Sequence, residues 1–330
     1  MKRFSAAHPG RAVAVATSTD FFRRSRQWTD YGITFGSDAL DQAQGKERIR
    51  ELLADPDMPK PFCAFSPPGK DGACYPESKW NIDVYSKCSR PICAFLAKLQ
   101  RRGCADMGVF RYESVYIGLP TFYHAVGQDG ANTDGFQAVQ LVSTRDLRTW
   151  NRLGNRSWFL GPSKAGSGAY DLLELLGPSN VIVANDTLLM YYTGIKTRAP
   201  DQAPDWAPLE MDQGAICLAS LRRDGWVSLG PATPNTTATV TTKTFTAPAG
   251  ALYINADASR SGVGACIGCA PGAVLVTALV DGKRVPAAPL GGDMLATAIV
   301  WPGSAPVLAG KTVALEFAVA NAALYSYWFA

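Results

Sequence analysis

The fold is predicted from a repeated sequence motif, AVQLVSTRDLRTW at residues 138–150. An apolar run leads into Ser and Thr, then an Asp, then a Trp that opens the next strand-like segment. The motif recurs at 12–28 and, in a weaker form, at 214–226. A strand, a polar turn and an aromatic-led strand, repeated at long intervals, are typical of the blades of a β-propeller. We therefore predict an all-β protein whose N-terminal part is built from propeller blades.

The acidic residue of this motif is predicted to have a structural role. It recurs in every copy, as Asp20, Asp146 and Asp224. A residue that recurs at the same turn of each blade is expected to stabilise that turn, whereas a catalytic acid is expected at one position only. The tryptophans of the three copies are predicted to pack between blades; they are Trp28, Trp150 and Trp226.

Length, composition and charge limit the class of protein. With 330 residues, of which 47% are hydrophobic, the chain can bury a large core and is predicted to hold two domains. The net charge is only +4 and no basic run is interleaved with aromatic residues, so nucleic acid is not expected as a partner. No stretch approaches 18 consecutive apolar residues, which predicts no membrane span. Residues 1–5 are basic but no apolar segment follows, so no signal peptide is predicted and the localisation stays open.

The eight cysteines do not predict a metal site. Five of them lie between Cys63 and Cys104, at spacings that fit no ligand template, and a close pair is formed by Cys266 and Cys269. The chain has only two histidines, His8 and His124. We expect reduced, structurally idle thiols, with no metal and no cofactor.

Periodicity and turn residues outline the elements. A charged helix is predicted at 45–54, and hairpins are predicted about Glu113-Ser114 and Asn185-Asp186. After the proline-rich segment 231–234 the composition shifts to Ala, Val, Thr and Gly. The short strands predicted there are 251–255, 273–280, 297–301, 312–319 and 324–329. This spacing is typical of a β-sandwich, so the predicted domains are a partial propeller at 1–235 and a C-terminal β-sandwich at 236–330.

A basic, cysteine-rich segment at 86–106 interrupts the β pattern. Its deletion would join 81–85 to 107–110 as one strand and its continuation. We interpret it as an insertion loop or translated non-coding sequence, because its charge forms no clear amphipathic face. The alternative is a segment that binds a partner or a membrane surface.

Several segments together resemble the glycoside-hydrolase-like five-bladed propellers, the relatives of glycoside hydrolase families 32, 43 and 68. The segments that carry the resemblance are NIDVY at 81–85, MGVFRY at 107–112, YIG at 116–118, VQLVSTRD at 139–146 and GAYD at 168–171. The tail resembles the β-sandwich appended to such propellers, through LYINAD at 252–257, GKTVALEF at 310–317 and ALYSY at 323–327. The resemblance covers most of the chain outside 41–79 and 86–106.

The resemblance implies a protein that acts on a fructosyl, arabinosyl or related glycan. Such enzymes draw acidic residues from several inner strands, and the first blade normally supplies the nucleophile or base. A five-bladed ring needs about 300 residues, whereas only about 230 precede the predicted sandwich. The chain is therefore expected to begin inside an early blade, to lack that acid and to have an impaired site. The alternative is a non-catalytic carbohydrate-binding or structural module.

Two carboxylates must flank a glycosidic bond for its hydrolysis, and the leading candidates are Asp171 and Asp83. Each stands where an inner strand is predicted to begin, although an Asp that caps a loop is the alternative for both. Glu174 is a weaker candidate because three residues separate it from Asp171, which would turn it to the opposite side of a strand. The predicted sugar contacts are His124, Glu174, Tyr85 and Tyr170, with a packed histidine and ordinary aromatic core as the alternatives.

Overall fold

The computed structural model describes residues 2–5, 8–18, 28–57, 77–84, 107–126, 135–196, 212–259, 266–303 and 308–330. The described chain is predominantly β, as predicted, with one α-helix, α1 (Ala39–Ala54). It divides into an N-terminal unit, residues 1–182 with 189–219, and a C-terminal unit, residues 183–188 with 220–330. Tyr85, Asp20, the segment 86–106 and the cysteines from Cys63 to Cys104 lie outside the described residues.

The N-terminal unit begins with a small antiparallel sheet of three strands and continues with a sheet of seven. The strands of the first sheet are β1 (Lys2–Ser5), β2 (His8–Thr17) and β3 (Thr29–Gly36). Those of the second are β4 (Asn81–Val84), β5 (Met107–Tyr112), β6 (Val115–Ala125), β7 (Gly135–Gln140), β8 (Val142–Thr144), β9 (Asn151–Arg152) and β10 (Trp158–Leu160). The long strand β6 is central, because β4, β5, β7 and β8 all pair with it.

Strands β4 and β5 lie end to end along β6. Val84 is opposite Phe122, Met107 is opposite Pro120, and only Thr121 separates the two registers. This confirms that 81–84 and 107–112 are consecutive parts of one strand that is interrupted in the sequence. The hairpin between β5 and β6 turns at Glu113, whose φ of 49° is left-handed, and the predicted turn is confirmed.

Helix α1 begins at Ala39, six residues before the predicted start. Its N-terminus is a reciprocal capping box: the Asp38 carboxylate accepts from the backbone N–H groups of Leu40 and Asp41, and the Asp41 carboxylate accepts from the backbone N–H of Asp38. The sequence pattern hides this cap because the third helical residue is Asp, where Glu or Gln is usual. A Cβ on Gly45 would lie 2.4 Å from Ile82 Cγ1, so this glycine lets the helix approach β4 closely.

The repeated turn behaves as predicted at Asp146. Its carboxylate accepts from the backbone N–H groups of Arg148 and Thr149, both at 2.8 Å. These bonds, with the hydroxyl of Thr144, lower the pKa of Asp146 to about 2. Asp146 is therefore a structural turn residue. Among the repeat tryptophans, Trp150 packs against the core and Trp226 is buried, whereas Trp28 is about half exposed.

A third sheet has four strands, in which β13 lies between β11 and β12 and also pairs with β14. Their bounds are β11 (Glu174–Leu176), β12 (Ile182–Ala184), β13 (Thr187–Ile195) and β14 (Gly214–Arg222). The predicted turn at Asn185-Asp186 connects β12 to β13. Asn185 has a φ of 53°, a conformation that Asn tolerates better than most residues.

The C-terminal unit contains two further antiparallel sheets. The larger holds β15 (Thr237–Thr241), β16 (Phe245–Thr246), β18 (Ala273–Val280), β19 (Lys283–Pro286) and β21 (Thr312–Ala320). The smaller holds β17 (Leu252–Ala258), β20 (Gly292–Ala298) and β22 (Ala323–Phe329). Both contribute alternate residues to one apolar cluster that includes Ile254, Val276, Leu315 and Phe317.

The expectation of reduced thiols is wrong for one pair. Cys266 and Cys269 form a disulfide, because the turn between them brings their Cα atoms to 5.5 Å. Within the described residues Cys217 is a free thiol. No described helix is both long enough and apolar enough to span a bilayer.

Candidate functional site

A row of buried polar side chains crosses three neighbouring strands of the seven-stranded sheet. Asp83 on β4 is opposite Tyr123 on β6, and Tyr123 is opposite Gln137 on β7. Directly paired residues of antiparallel strands point to the same face, so these three side chains lie side by side. All three are buried, with Asp83 8% exposed and Gln137 fully enclosed. We call this the acidic face of the sheet.

The segment that follows Asp171 runs to the same face. The backbone carbonyl of Leu173 accepts from the Gln137 N–H at 2.8 Å, which places this segment beside β7. Leu176 then packs against Tyr123, and the Gly177 N–H donates to Thr121 Oγ1 at 3.2 Å.

Glu174 is brought to the acidic face by the alternation of β11. Its side chain lies on the same side of the strand as that of Leu176, which contacts this face, and it is 3% exposed. The argument that three residues separate it from Asp171 in one strand does not apply, because β11 begins only at Glu174. Glu174 is therefore better placed than the sequence suggested.

Asp171 lies just before β11, in a loop, and not at the start of a strand. Its carboxylate accepts a hydrogen bond from Tyr192 Oη at 2.7 Å, and it is 8% exposed. Burial, reinforced by this carboxylate, raises the pKa of Tyr192, which therefore stays a donor. Burial and then the same carboxylate raise the pKa of the Cys217 thiol. A Cβ on Gly194 would lie 2.9 Å from the Asp171 backbone N, so a glycine is required where β13 passes Asp171.

Tyr170 is held in a polar cluster at the surface. Its hydroxyl donates to Asp212 Oδ1 at 2.7 Å, and Lys196 Nζ lies 3.2 Å from Asp212 Oδ2. The hydrogen bond to Asp212 raises the pKa of Tyr170. Lys196 also stands 4.8 Å from the centre of the Tyr170 ring, so this ring already stacks against a cation.

His124 lies on the face opposite to Asp83. It is paired with Ile82, whereas Asp83 is paired with Tyr123, and successive residues of a strand point to opposite faces. The structure therefore separates two residues that the sequence analysis grouped, Asp83 and His124. Tyr85, the remaining predicted contact, lies outside the described residues.

The acidic face offers acid and base groups with neutral hydrogen-bonding partners. Asp83 and Glu174 supply carboxyl groups, and Tyr123 and Gln137 supply a phenol and an amide for orienting hydroxyl groups. Sequence reasoning missed Tyr123 and Gln137. Strand β6 is buried along both faces, so no alternation of apolar and polar residues marks Tyr123 in the sequence. Only the strand register places Gln137 next to it.

Comparisons with known proteins gave matches among solved structures alone. A structure titled "Glycoside hydrolase" is similar over 65% of this chain and 37% of its own, at 13% identity and a TM-score of 0.30. A glycoside hydrolase family 43 arabinoxylan arabinofuranohydrolase from Bacillus subtilis, in complex with cellotetraose, is similar over 68% of this chain and 53% of its own, at 9% identity and a TM-score of 0.19. The matched regions thus span about a third to a half of the length of these two structures. No protein-family model and no curated protein matches the sequence.

Proposed function

We propose that this protein is glycoside-hydrolase-like and acts on a fructosyl, arabinosyl or related glycan through carboxylate acid/base chemistry. The observation that carries the proposal is the acidic face, where Asp83 is buried beside Tyr123 and Gln137 and the neighbouring strand β11 carries the buried Glu174. Burying a carboxylate costs free energy, and functional sites are among the places where proteins keep buried carboxylates. The sequence resemblance to propeller glycosidases supplies the substrate class.

Asp83 and Glu174 are proposed as the two participating carboxyl groups, with Asp171 as the third acid. One carboxylic acid protonates the oxygen of the leaving sugar, and the other carboxylate assists attack at the anomeric carbon. Asp171, held by the Tyr192 hydroxyl, orients a sugar hydroxyl or shapes the charge around the acid. On this proposal the sheets of the N-terminal unit are propeller blades and those of the C-terminal unit form a sandwich, with the domains at 1–235 and 236–330.

The test is hydrolysis of a panel of aryl glycosides and fructans by the full chain and four variants. The variants Glu174→Gln, Asp83→Asn and Asp171→Asn remove one carboxylate each with little change of volume. We expect the first two to lower kcat/KM by at least about 100-fold, since each removes an acid or base of a two-carboxylate mechanism. Asp171→Asn is expected to lower it by less.

Glu113→Gln is the matched control, because it makes the same change in an exposed hairpin turn. Hydrolysis that survives both Glu174→Gln and Asp83→Asn would overturn the site. Saturable binding of a glycan, lost in Asp83→Asn but without turnover in any sample, would replace the enzyme with a carbohydrate-binding module.

A further inference from the structure

A disulfide lies in a short turn of the C-terminal unit, in the connection between β17 and β18. Cys266 and Cys269 are bonded to one another, and only Ile267 and Gly268 separate them. We call these four residues the cysteine turn. Both cysteines are partly exposed and Ile267 is fully exposed. Exposed disulfides include the labile and regulatory kind, whereas structural ones resist reduction.

The cysteine turn keeps its two cysteines together without help from the bond. The Cys269 N–H donates to the Cys266 carbonyl at 3.3 Å, which closes a β-turn. Gly268 has a φ of 78°, a left-handed conformation that glycine adopts without strain. The Cα atoms of the two cysteines lie 5.5 Å apart. The thiols of the reduced form would therefore stay within reach of one another and could form the bond again.

The chain next to the cysteine turn is held by amides. The Ala270 N–H donates to Asn235 Oδ1 at 3.1 Å, and Asn321 Nδ2 donates to the Ala270 carbonyl at 3.1 Å. A Cβ on Gly272 would lie 2.5 Å from the Asn321 carbonyl oxygen, so the chain passes close to the connection between β21 and β22. None of these contacts uses a sulfur atom, so we expect them to persist when the disulfide is broken.

The disulfide itself adds little to the stability of the fold. A crosslink stabilises a protein mainly by restricting the unfolded chain, and the restriction grows with the length of the closed loop. This bond joins residues only three apart in the sequence. Both of its cysteines lie in one connection, so it does not join two strands. Stability therefore gives no reason for the bond to be permanent.

A thiol from solution has access to this bond. The cysteine turn borders a recess of about 280 Å³, whose other lining residues include Ser259, Gly272 and Asn321. None of the described residues that line it is charged, so no carboxylate there repels an incoming thiolate. The same lining has no cationic group that would activate the two cysteines as thiolates. The pair is therefore better suited to receive attack than to act as the attacking group.

We propose that Cys266 and Cys269 form a reversible dithiol–disulfide site that exchanges with small thiols of the glutathione class. A glutathione thiolate attacks one sulfur, which forms a mixed disulfide and releases the other cysteine as a thiolate that takes up a proton. A second glutathione thiolate attacks the sulfur of the bound glutathione, so that glutathione disulfide leaves and the second cysteine is protonated in turn. Two glutathione thiols are oxidised as one protein disulfide is reduced, and the reverse sequence restores the bond. The site lies in the C-terminal unit and does not depend on the proposed hydrolysis.

The test equilibrates the full chain in two glutathione buffers, one at the redox poise of the cytosol and one at that of the endoplasmic reticulum. Free thiols are alkylated, and the thiols released by later reduction are alkylated with a heavier reagent. Trypsin then yields the peptide 261–283, whose only cysteines are this pair. We expect more than half of the pair to be reduced in the first buffer and more than half to be oxidised in the second, whereas a structural disulfide stays oxidised in both.

Two neighbouring alanine variants test whether the turn sets this equilibrium. Gly268→Ala places a side chain at the left-handed position, where it would meet no other atom within 4 Å, so its effect is confined to the backbone. Only the disulfide forces residue 268 to keep this conformation, so the variant should favour the dithiol at least about fivefold. Ile267→Ala changes an exposed neighbour whose φ is not left-handed, and it should behave as the wild type does.

Four results would overturn the proposal. The first is a pair that stays oxidised in both buffers, which would make the bond structural. The second is a pair that stays reduced in both, which would mean that no disulfide forms. The third is a C-terminal unit that loses its resistance to proteolysis when the pair is reduced, because the fold would then need the bond. The fourth is a Gly268→Ala equilibrium equal to that of the wild type, because the turn would then not set the equilibrium.

Discussion

The two units of the chain differ in what they bury. Among the described residues, the buried polar groups of the N-terminal unit include four carboxylates and an imidazole: Asp41, Asp83, Asp171, Glu174 and His124. Those of the C-terminal unit are two amides and a hydroxyl, on Asn255, Asn321 and Thr277.

The buried amides of the C-terminal unit join separate segments of the chain by hydrogen bonds. Asn321 donates to Asn235 Oδ1 at 3.2 Å and to the Ala270 carbonyl at 3.1 Å, and its own oxygen accepts from the Asn235 N–H at 2.8 Å. A neutral amide bonded in this way costs little to bury, whereas a buried charge costs several kcal/mol. Among the described residues, the buried polar groups of the C-terminal unit are therefore neutral, whereas the N-terminal unit also buries carboxylates.

The largest stability effect is expected in the apolar core of the C-terminal unit. Phe317 is buried and its ring lies 5.2 Å from that of Tyr327. Phe317→Ala should lower the free energy of unfolding by about 3–5 kcal/mol, measured by urea denaturation, because it leaves a cavity. Phe317→Leu, which keeps most of the volume, should cost less than about 1.5 kcal/mol. Equal costs for the two variants would show that this core is not tightly packed.

A somewhat smaller effect is expected at Asp41, where the N-terminal unit buries a charge network. Its carboxylate lies 2.6 Å from Arg152 and 2.7 Å from Arg156. Asp41→Asn should cost about 3 kcal/mol in urea denaturation, because Arg152 would remain largely buried with its charge uncompensated. Asp38→Asn is the control: Asp38 is more exposed, and Asn is also a good N-cap. A cost at Asp38 as large as that at Asp41 would contradict the difference in burial.

The smallest effect is a dependence on pH. The folded pKa of His124 is about 3, below its ordinary value of 6.5, so the unfolded state takes up the proton first. Its contribution to stability is complete above pH 6.5 and is lost as the pH falls towards 3. Between about pH 6.5 and about pH 5.0 this loss should be on the order of 2 kcal/mol. His124→Gln should remove this loss from the free energies of unfolding measured by urea denaturation at the two pH values. A loss in His124→Gln as large as that of the wild type would mean that His124 is not buried in its neutral form.

Local sequence signals placed several elements well. The strand predicted at 273–280 is β18, and the turns at Glu113-Ser114 and Asn185-Asp186 connect β5 to β6 and β12 to β13. Turn residues and alternation act over a few neighbours, so they can be recognised in one stretch of chain. The same locality explains the turn role of Asp146. The start of α1 was missed because its cap uses Asp41 at a position where the usual signal is Glu.

The sequence by itself therefore determined the β class, the hairpins and the acidic residues from which a site can be built. Only the tertiary structure decided which side chains lie on the same face of the sheet. Strand register puts Asp83 beside Tyr123 and Gln137, and turns His124 to the other face. A shift of register by one residue would exchange these faces without changing one letter of the sequence. Pairing between distant strands depends on contacts across the whole sheet, and no local pattern contains them.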